Sequence, residues 1–195
     1  MQELAGEQGK EIAKDTFDEQ MKKHPDLSRS ASAAKFRGGL ADHSERTVMG
    51  HTATHLLHQA LRDVLGKHVH QTGSNITTER IRFDFNYENK LTDEQIEKVQ
   101  TIVNEKIKAD LPVHFELIPT EDAHKMGAIG LFMDTYGEKS KIYFIGDTSM
   151  SPKDAYSIEF CGGPHVEHTS VLKSFKIQKQ ENLGKNQKRL YGIVG

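Results

Sequence analysis

The residues with the clearest chemical potential come in two pairs, His51-Thr52-Ala53-Thr54-His55 and Cys161-Gly162-Gly163-Pro164-His165. In each pair the potential ligands stand four positions apart. Three imidazoles and one thiolate form a donor set that suits zinc. On a helix, His51 and His55 project from neighbouring turns about 5–6 Å apart, close enough to grip one ion. With 11 histidines in the chain, one such pair arises easily by chance, so the case rests on the second pair. There Gly162 and Gly163 permit a sharp turn, Pro164 stiffens it, and Cys161 and His165 can converge. The plain alternative is a buried free cysteine beside a tight turn. His114 and His124 read as surface residues.

These side chains need elements to hold them. Thr47 to about Leu65 reads as a helix, with Leu56, Leu57, Ala60, Leu61 and Val64 as its apolar stripe and Gly66 at its end. Ile81 to Phe85 alternates as a strand. Thr92 caps a second helix whose Ile96, Val99, Ile102, Val103 and Ile107 repeat at helical period, and Pro112 stops it. Val113–Ile118 and Lys141–Ile145 follow as strands, with Thr120 to about Ala128 a short helix between them. Tyr156–Phe160 leads as a strand directly into Cys161, and Phe175–Gln178 and Leu190–Val194 are the last strands. Interspersed helices and turn-linked strands predict an α+β two-layer sandwich: a mostly antiparallel sheet packed against two long helices.

The 195 residues suffice for one sizeable core with a small appendage. Residues 1–39, charged and then small and polar, read as a helical appendage and linker, with 40–195 as the functional domain. No apolar run approaches the roughly 20 residues that cross a bilayer, and no signal-peptide core opens the chain; no membrane partner is expected. One cysteine excludes an internal disulfide and suits a reducing compartment, the cytoplasm. The net charge of −2 gives no overall attraction to nucleic acid, and DNA is not an expected partner. From Val171 onward, however, Lys173, Lys176, Lys179, Lys185, Lys188 and Arg189 oppose only Glu181. That stretch either touches phosphates or is a sheet edge guarded by lysines.

The run His51-Thr52-Ala53-Thr54-His55-Leu56-Leu57-His58 together with Cys161-Gly162-Gly163-Pro164-His165-Val166 resembles the editing domain of alanyl-tRNA synthetase. That signature is shared with free-standing alanyl-tRNA editing proteins and with the second additional domain of threonyl-tRNA synthetase. Gln71-Thr72-Gly73-Ser74, Arg80 to Phe85, Gly127-Ala128-Ile129-Gly130-Leu131-Phe132, Phe175-Lys176-Ile177 and Arg189-Leu190 extend the resemblance. It runs from about Ala31 to Gly195, and Phe17, Ser28-Arg29 and Lys35-Phe36 carry it upstream, which implies a piece of that synthetase. Two departures stand out. The usual cysteine motif has threonine where this chain has Pro164. The glycine-rich β-barrel that commonly precedes the helix has no room, since only about ten residues separate Gly39 from Gly50.

The resemblance implies a zinc-dependent hydrolase that cleaves the ester joining serine or glycine to the 3′ end of tRNA for alanine, with His51, His55, Cys161 and His165 as ligands. The partners implied are the charged end of tRNA and the remainder of the synthetase. No ATP site is apparent here, so ligation itself belongs to sequence elsewhere. A pocket that binds the serine hydroxyl rejects alanine, because alanine leaves its polar groups unpaired. Thr54 and Gln71 are the candidates for that contact; the plain readings are a threonine bonding its own helix backbone and a loop glutamine. The backbone amides of Gly162 and Gly163 are candidate donors to an oxyanion. Four protein ligands close a tetrahedral site, which favours a metal that positions the ester over one that activates water. Asp84 and Glu159 receive no role. The alternatives are a zinc-containing module that binds tRNA without cleaving it, and editing of serine-charged tRNA for threonine.

Overall fold

The computed structural model describes residues 39–130 and 137–195. The appendage and linker expected over 1–39 lie, apart from Gly39, outside the described residues, as do Leu131 and Phe132 of the matching stretch.

Helix α1 (Glu45–Leu65) is the organising element. Asp42 fixes its start by accepting from the Ser44 amide and the Thr47 hydroxyl, both at 2.9 Å. Gly66, at φ +119°, ends it by donating its N–H to the Arg62 carbonyl. The stripe of Leu56, Leu57, Ala60 and Leu61 is buried as expected. Full burial of each leucine is worth about 1.5–3 kcal/mol. His51, Thr52, Thr54, His55 and His58 are buried as well. The middle of α1 is therefore enclosed on every side, and its polar residues must find partners inside the protein.

Strands β1 (Gln71–Ile76), β2 (Ile81–Asn86), β6 (Phe175–Gly184) and β7 (Gln187–Val194) form a four-stranded sheet in the order β1-β2-β7-β6. Strands β3 (Val113–Pro119), β4 (Lys139–Ile145) and β5 (Ser157–Phe160) form a second sheet in that order. Every pairing between these strands is antiparallel. Among the described residues there is no closed barrel, in keeping with the α+β class, and the strands divide between two sheets instead of joining one. Helix α2 (Asp93–Lys108) begins in a capping box: Gln95 N–H donates to Thr92 Oγ1, and Thr92 N–H to Gln95 Oε1. Its Val99, Val103 and Ile107 share one core with α1 and with Phe83, Phe85, Phe175 and Leu190 of the larger sheet.

The smaller sheet has two unlike faces. Ile142, Phe144, Ile158 and Phe160 pack with Ala123 of the short helix α3 (Thr120–Lys125) in a separate apolar cluster. Val113, Tyr143 and Ile145 face the main core instead. Alternation along β4 and β5 thus sends Tyr143 and Glu159 to one side, and that side is where α1 passes. No helix among the described residues is long and apolar enough to cross a membrane.

Candidate metal centre

Strand β5 delivers Cys161 immediately past its last residue, and the turn that follows carries His165 back over α1. His51, His55, Cys161 and His165 come together so that one ligand atom from each lies within 4.8 Å of the others. Cys161 Sγ is 3.3 Å from His51 Nε2 and 3.4 Å from His165 Nε2. The His51 and His165 rings stack at 4.1 Å, and His55 meets His165 at 4.4 Å.

Hydrogen bonds fix which nitrogen each ring turns inward. His51 Nδ1 lies 3.0 Å from the Pro164 carbonyl, which can only accept; Nδ1 therefore carries the proton, and the Nε2 lone pair faces the thiol. Thr52 Oγ1 accepts from the Val166 amide at 3.2 Å, can donate to the Val48 carbonyl at 3.3 Å, and lies 3.0 Å from His165 Nδ1. A protonated Nδ1 on His165 satisfies all three contacts and again leaves Nε2 free to ligate. His55 Nδ1 is buried with no hydrogen-bond partner among the described residues. An orphaned imidazole nitrogen beside a thiol and two inward lone pairs is what a cation would satisfy. The donor set of three imidazoles and one sulfur fits zinc.

Electrostatics agree with ligation by neutral rings. Burial, and then the neighbouring His55, push the His51 imidazole down to about 3. Burial also lowers His55 and takes His165 well below the usual range. The same burial pushes the Cys161 thiol up to about 12, against a smaller opposing effect of the Gly163 amide on the sulfur. A bound cation reverses the cost for the thiolate, so metal and sulfur stabilise one another.

Beneath the ligands lies a second layer. The Gln71 backbone N–H donates to His58 Nε2 at 3.2 Å, so the His58 proton sits on Nδ1, 3.1 Å from Glu159 Oε1. Glu159 Oε2 stands 3.8 Å from His55 Nε2. Burial alone would raise the Glu159 carboxyl, but the facing His55 and His58 hold it below the ordinary value. Glu159, Thr52 and His58 are thus the site residues that motif reading missed. A signal for Glu159 exists in retrospect, as a carboxylate on a strand two residues before a ligand.

The remaining candidates fare unequally. The Thr54 hydroxyl donates to the His51 carbonyl at 2.6 Å, the plain reading of that residue. Gln71 opens β1 instead of sitting in a loop, and its backbone, through His58, is tied to the carboxylate under His55. Neither Gly162 nor Gly163 is in the left-handed region, so the turn does not use glycine for its backbone angles. Gly163 is required for space, since a Cβ there would run into the His51 imidazole, whereas at Gly162 it would meet nothing. Asp84 is occupied structurally, accepting from Arg189 Nε at 2.6 Å and Nη2 at 2.8 Å. His114 and His124 are half-buried, not on the surface, resting against Phe144 and Phe160.

Comparison with known proteins gives a family match and several relatives. Residues 140–191 match the family described as threonyl and alanyl tRNA synthetase second additional domain. The chain is 49% identical over 193 residues to an alanine–tRNA ligase from Treponema denticola, covering 99% of this chain and 31% of that protein. It is 45% identical over 193 residues to that of Borreliella burgdorferi, with the same coverage. Against that of Bacillus subtilis it is 44% identical over 155 residues, 79% of this chain and 17% of the relative. These matches put the chain in the alanyl-tRNA synthetase family, in the segment that carries the second additional domain. It spans about a third, or less, of the length of these relatives.

Proposed function

We propose that this segment is the editing unit of an alanine–tRNA ligase, hydrolysing the ester of serine or glycine mischarged on tRNA for alanine in the cytoplasm. The observation that carries this reading is the convergence of His51, His55, Cys161 and His165 in a chain whose relatives are alanine–tRNA ligases. Those four residues would hold a zinc ion, which when bound supplies a Lewis acid that anchors the ester end of the substrate. The charged 3′ end of tRNA is the partner, and the rest of a synthetase supplies ATP-dependent ligation.

The chain's own residues prepare the site. Thr52 and the Pro164 carbonyl hold His165 and His51 in their ligating tautomers. Glu159, bridged to β1 by His58, steadies His55 from behind. The exposed Gly162 amide is the better candidate to meet a developing oxyanion, because the Gly163 amide is directed at the Cys161 sulfur. Thr54 keeps its lone pairs while donating to His51, so its oxygen can accept from the serine hydroxyl; Gln71 is the second candidate for that contact.

Serine-charged tRNA for alanine and serine-charged tRNA for threonine, offered side by side to the metal-loaded chain, test the reading. Release of serine from the alanine tRNA is expected, with the threonine tRNA slower. Preference for the threonine tRNA would move the assignment to threonyl-tRNA editing, which Pro164 keeps as the second reading. No release from either would leave a tRNA-binding zinc module.

A further inference from the structure

The face of the smaller sheet that holds Tyr143 and Glu159 does not stop at the metal ligands. Strand register places Phe115 opposite Tyr143, and Leu117 opposite Lys141, all on this same face. Its inner end is buried, but its outer end is open: Phe115 is 51% exposed and Leu117 66% exposed, next to one another on the edge strand β3. Edge strands of soluble proteins rarely display paired large apolar side chains without a use for them.

The strip is continuous with the ligands. The His165 ring packs on Tyr143 at 4.1 Å between centroids, and Tyr143 on Phe115 at 5.5 Å. Lys141 Nζ lies 4.0 Å over the Phe115 ring and 4.8 Å over Tyr143, with no carboxylate partner among the described residues. The Lys141 carbonyl accepts from the Cys161 amide at 3.2 Å, so the strand that carries the cation is tied to the turn that begins at Cys161. Cys161 and His165 are also the two less buried ligands, whereas His51 and His55 are enclosed. These two less buried residues are the ones that adjoin the strip, His165 through Tyr143 and Cys161 through the Lys141 carbonyl. At its outer end the strand positions are Phe115, Leu117, Lys139 and Lys141, with two cations and no carboxylate.

We propose that the Phe115–Leu117–Lys141 strip is the landing platform for the unpaired 3′ strand of the RNA that carries the ester, with a base stacked on Phe115 and a phosphate on Lys141. This rests on the editing reading for the identity of the RNA. An aromatic ring beside a cation that has no carboxylate partner suits single-stranded RNA, because any base offers a stacking face and every nucleotide brings an anion. Continuity with the metal ligands favours the strand that ends in the reactive ester over a remote part of the tRNA.

The test measures affinity of the full, metal-loaded chain for an RNA hairpin ending in an unpaired 3′ strand, and for the same hairpin with that strand removed. Serine release from charged tRNA is followed in parallel. The wild-type chain is expected to prefer the stranded hairpin. Phe115→Ala should weaken that complex about 5- to 100-fold, leave the blunt hairpin unchanged, and be rescued by Phe115→Tyr. Lys141→Gln should reduce the slope of log affinity against log salt by about 0.7. Leu117→Gln, further from the ligands, serves as a second variant with metal content and melting temperature as folding controls. Unchanged affinity in Phe115→Ala and Lys141→Gln, or no wild-type preference for the stranded hairpin, overturns the platform. If the variants bind normally while the wild type releases serine, the platform fails and editing stands. If the variants lose the stranded hairpin while the wild type releases no serine, the platform stands and editing fails.

Discussion

The two arms of the clamp offer the same number of ligands on opposite kinds of support. His51 and His55 sit in the middle of a 21-residue helix, are 3% and 4% exposed, and share that helix with fully buried Leu56 and Ala60. Cys161 and His165 sit on a half-exposed turn after a four-residue strand, held to α1 by the Pro164 carbonyl and the Thr52 hydroxyl. One arm is placed by the core of the protein, the other by hydrogen bonds to α1 and to the Lys141 carbonyl of β4. The cluster thus pairs an enclosed half with a less buried half.

Metal removal should separate the arms most strongly. Structural zinc binding contributes about 10–16 kcal/mol in small zinc domains, and zinc bound here would have mainly the turn to order. Chelation is expected to make the 161–166 amides exchange freely with solvent while the α1 amides stay protected, read by hydrogen exchange. Equal loss of protection in both arms would show that the helix also depends on the metal. Cys161→Ser and His55→Ala should both lose the metal, measured as stoichiometry, but only His55→Ala should also lower the melting temperature of the chelated protein.

Next in size is the contrast between adjacent glycines. Gly163→Ala drives a methyl into the His51 ring and should cost on the order of 10–100-fold in zinc affinity, whereas Gly162→Ala meets open space and should cost little. Equal effects in a zinc titration would remove the close-approach explanation. Glu159 gives a smaller and more graded effect. Glu159→Ala leaves the buried His58 Nδ1–H without its acceptor, about 1–3 kcal/mol of stability, and loosens His55. Glu159→Gln keeps an acceptor for His58 and should retain most of both, as seen in thermal melting and zinc affinity.

What the sequence disclosed follows the range of the interactions involved. The four clustered residues were legible as two pairs because each pair is local, one helical turn or one tight turn, and because sulfur with imidazole is a distinctive donor set. Both long helices were legible from period and end signals, the Thr92 cap among them, though the reciprocal bond from Gln95 was not. Strand β1 was not, since Gln71-Thr72-Gly73-Ser74-Asn75-Ile76 has no apolar alternation and only Ile76 is buried in it. Strand β6 was expected only to Gln178; its polar continuation to Gly184 is ordered by pairing with β7, not by its own pattern. The division into two sheets depends on which strands pair, information carried by contacts far apart in sequence. For the same reason Glu159 stayed hidden, because its partner His58 lies 101 positions away. The glycines show a subtler limit: their place in the motif was plain, but the reason for Gly163 lies on another element.

The smallest expected effect serves as the control for the comparison. Thr92→Ala removes the cap of α2, far from the ligands, and should cost about 1 kcal/mol, or about 2–4 °C in melting temperature. Zinc affinity should not change. A change would mean that the helix arm responds to distant packing and is less fixed than its burial indicates.

The central claim is that these four residues hold a zinc ion on which ester hydrolysis depends. Serine release from charged tRNA for alanine, followed with the purified chain before chelation, after it, and after one equivalent of zinc is restored, tests this most directly. The account predicts release, loss and recovery in step with bound metal. Equal release by the metal-free chain, or an intact ester with one zinc bound per chain, would contradict it.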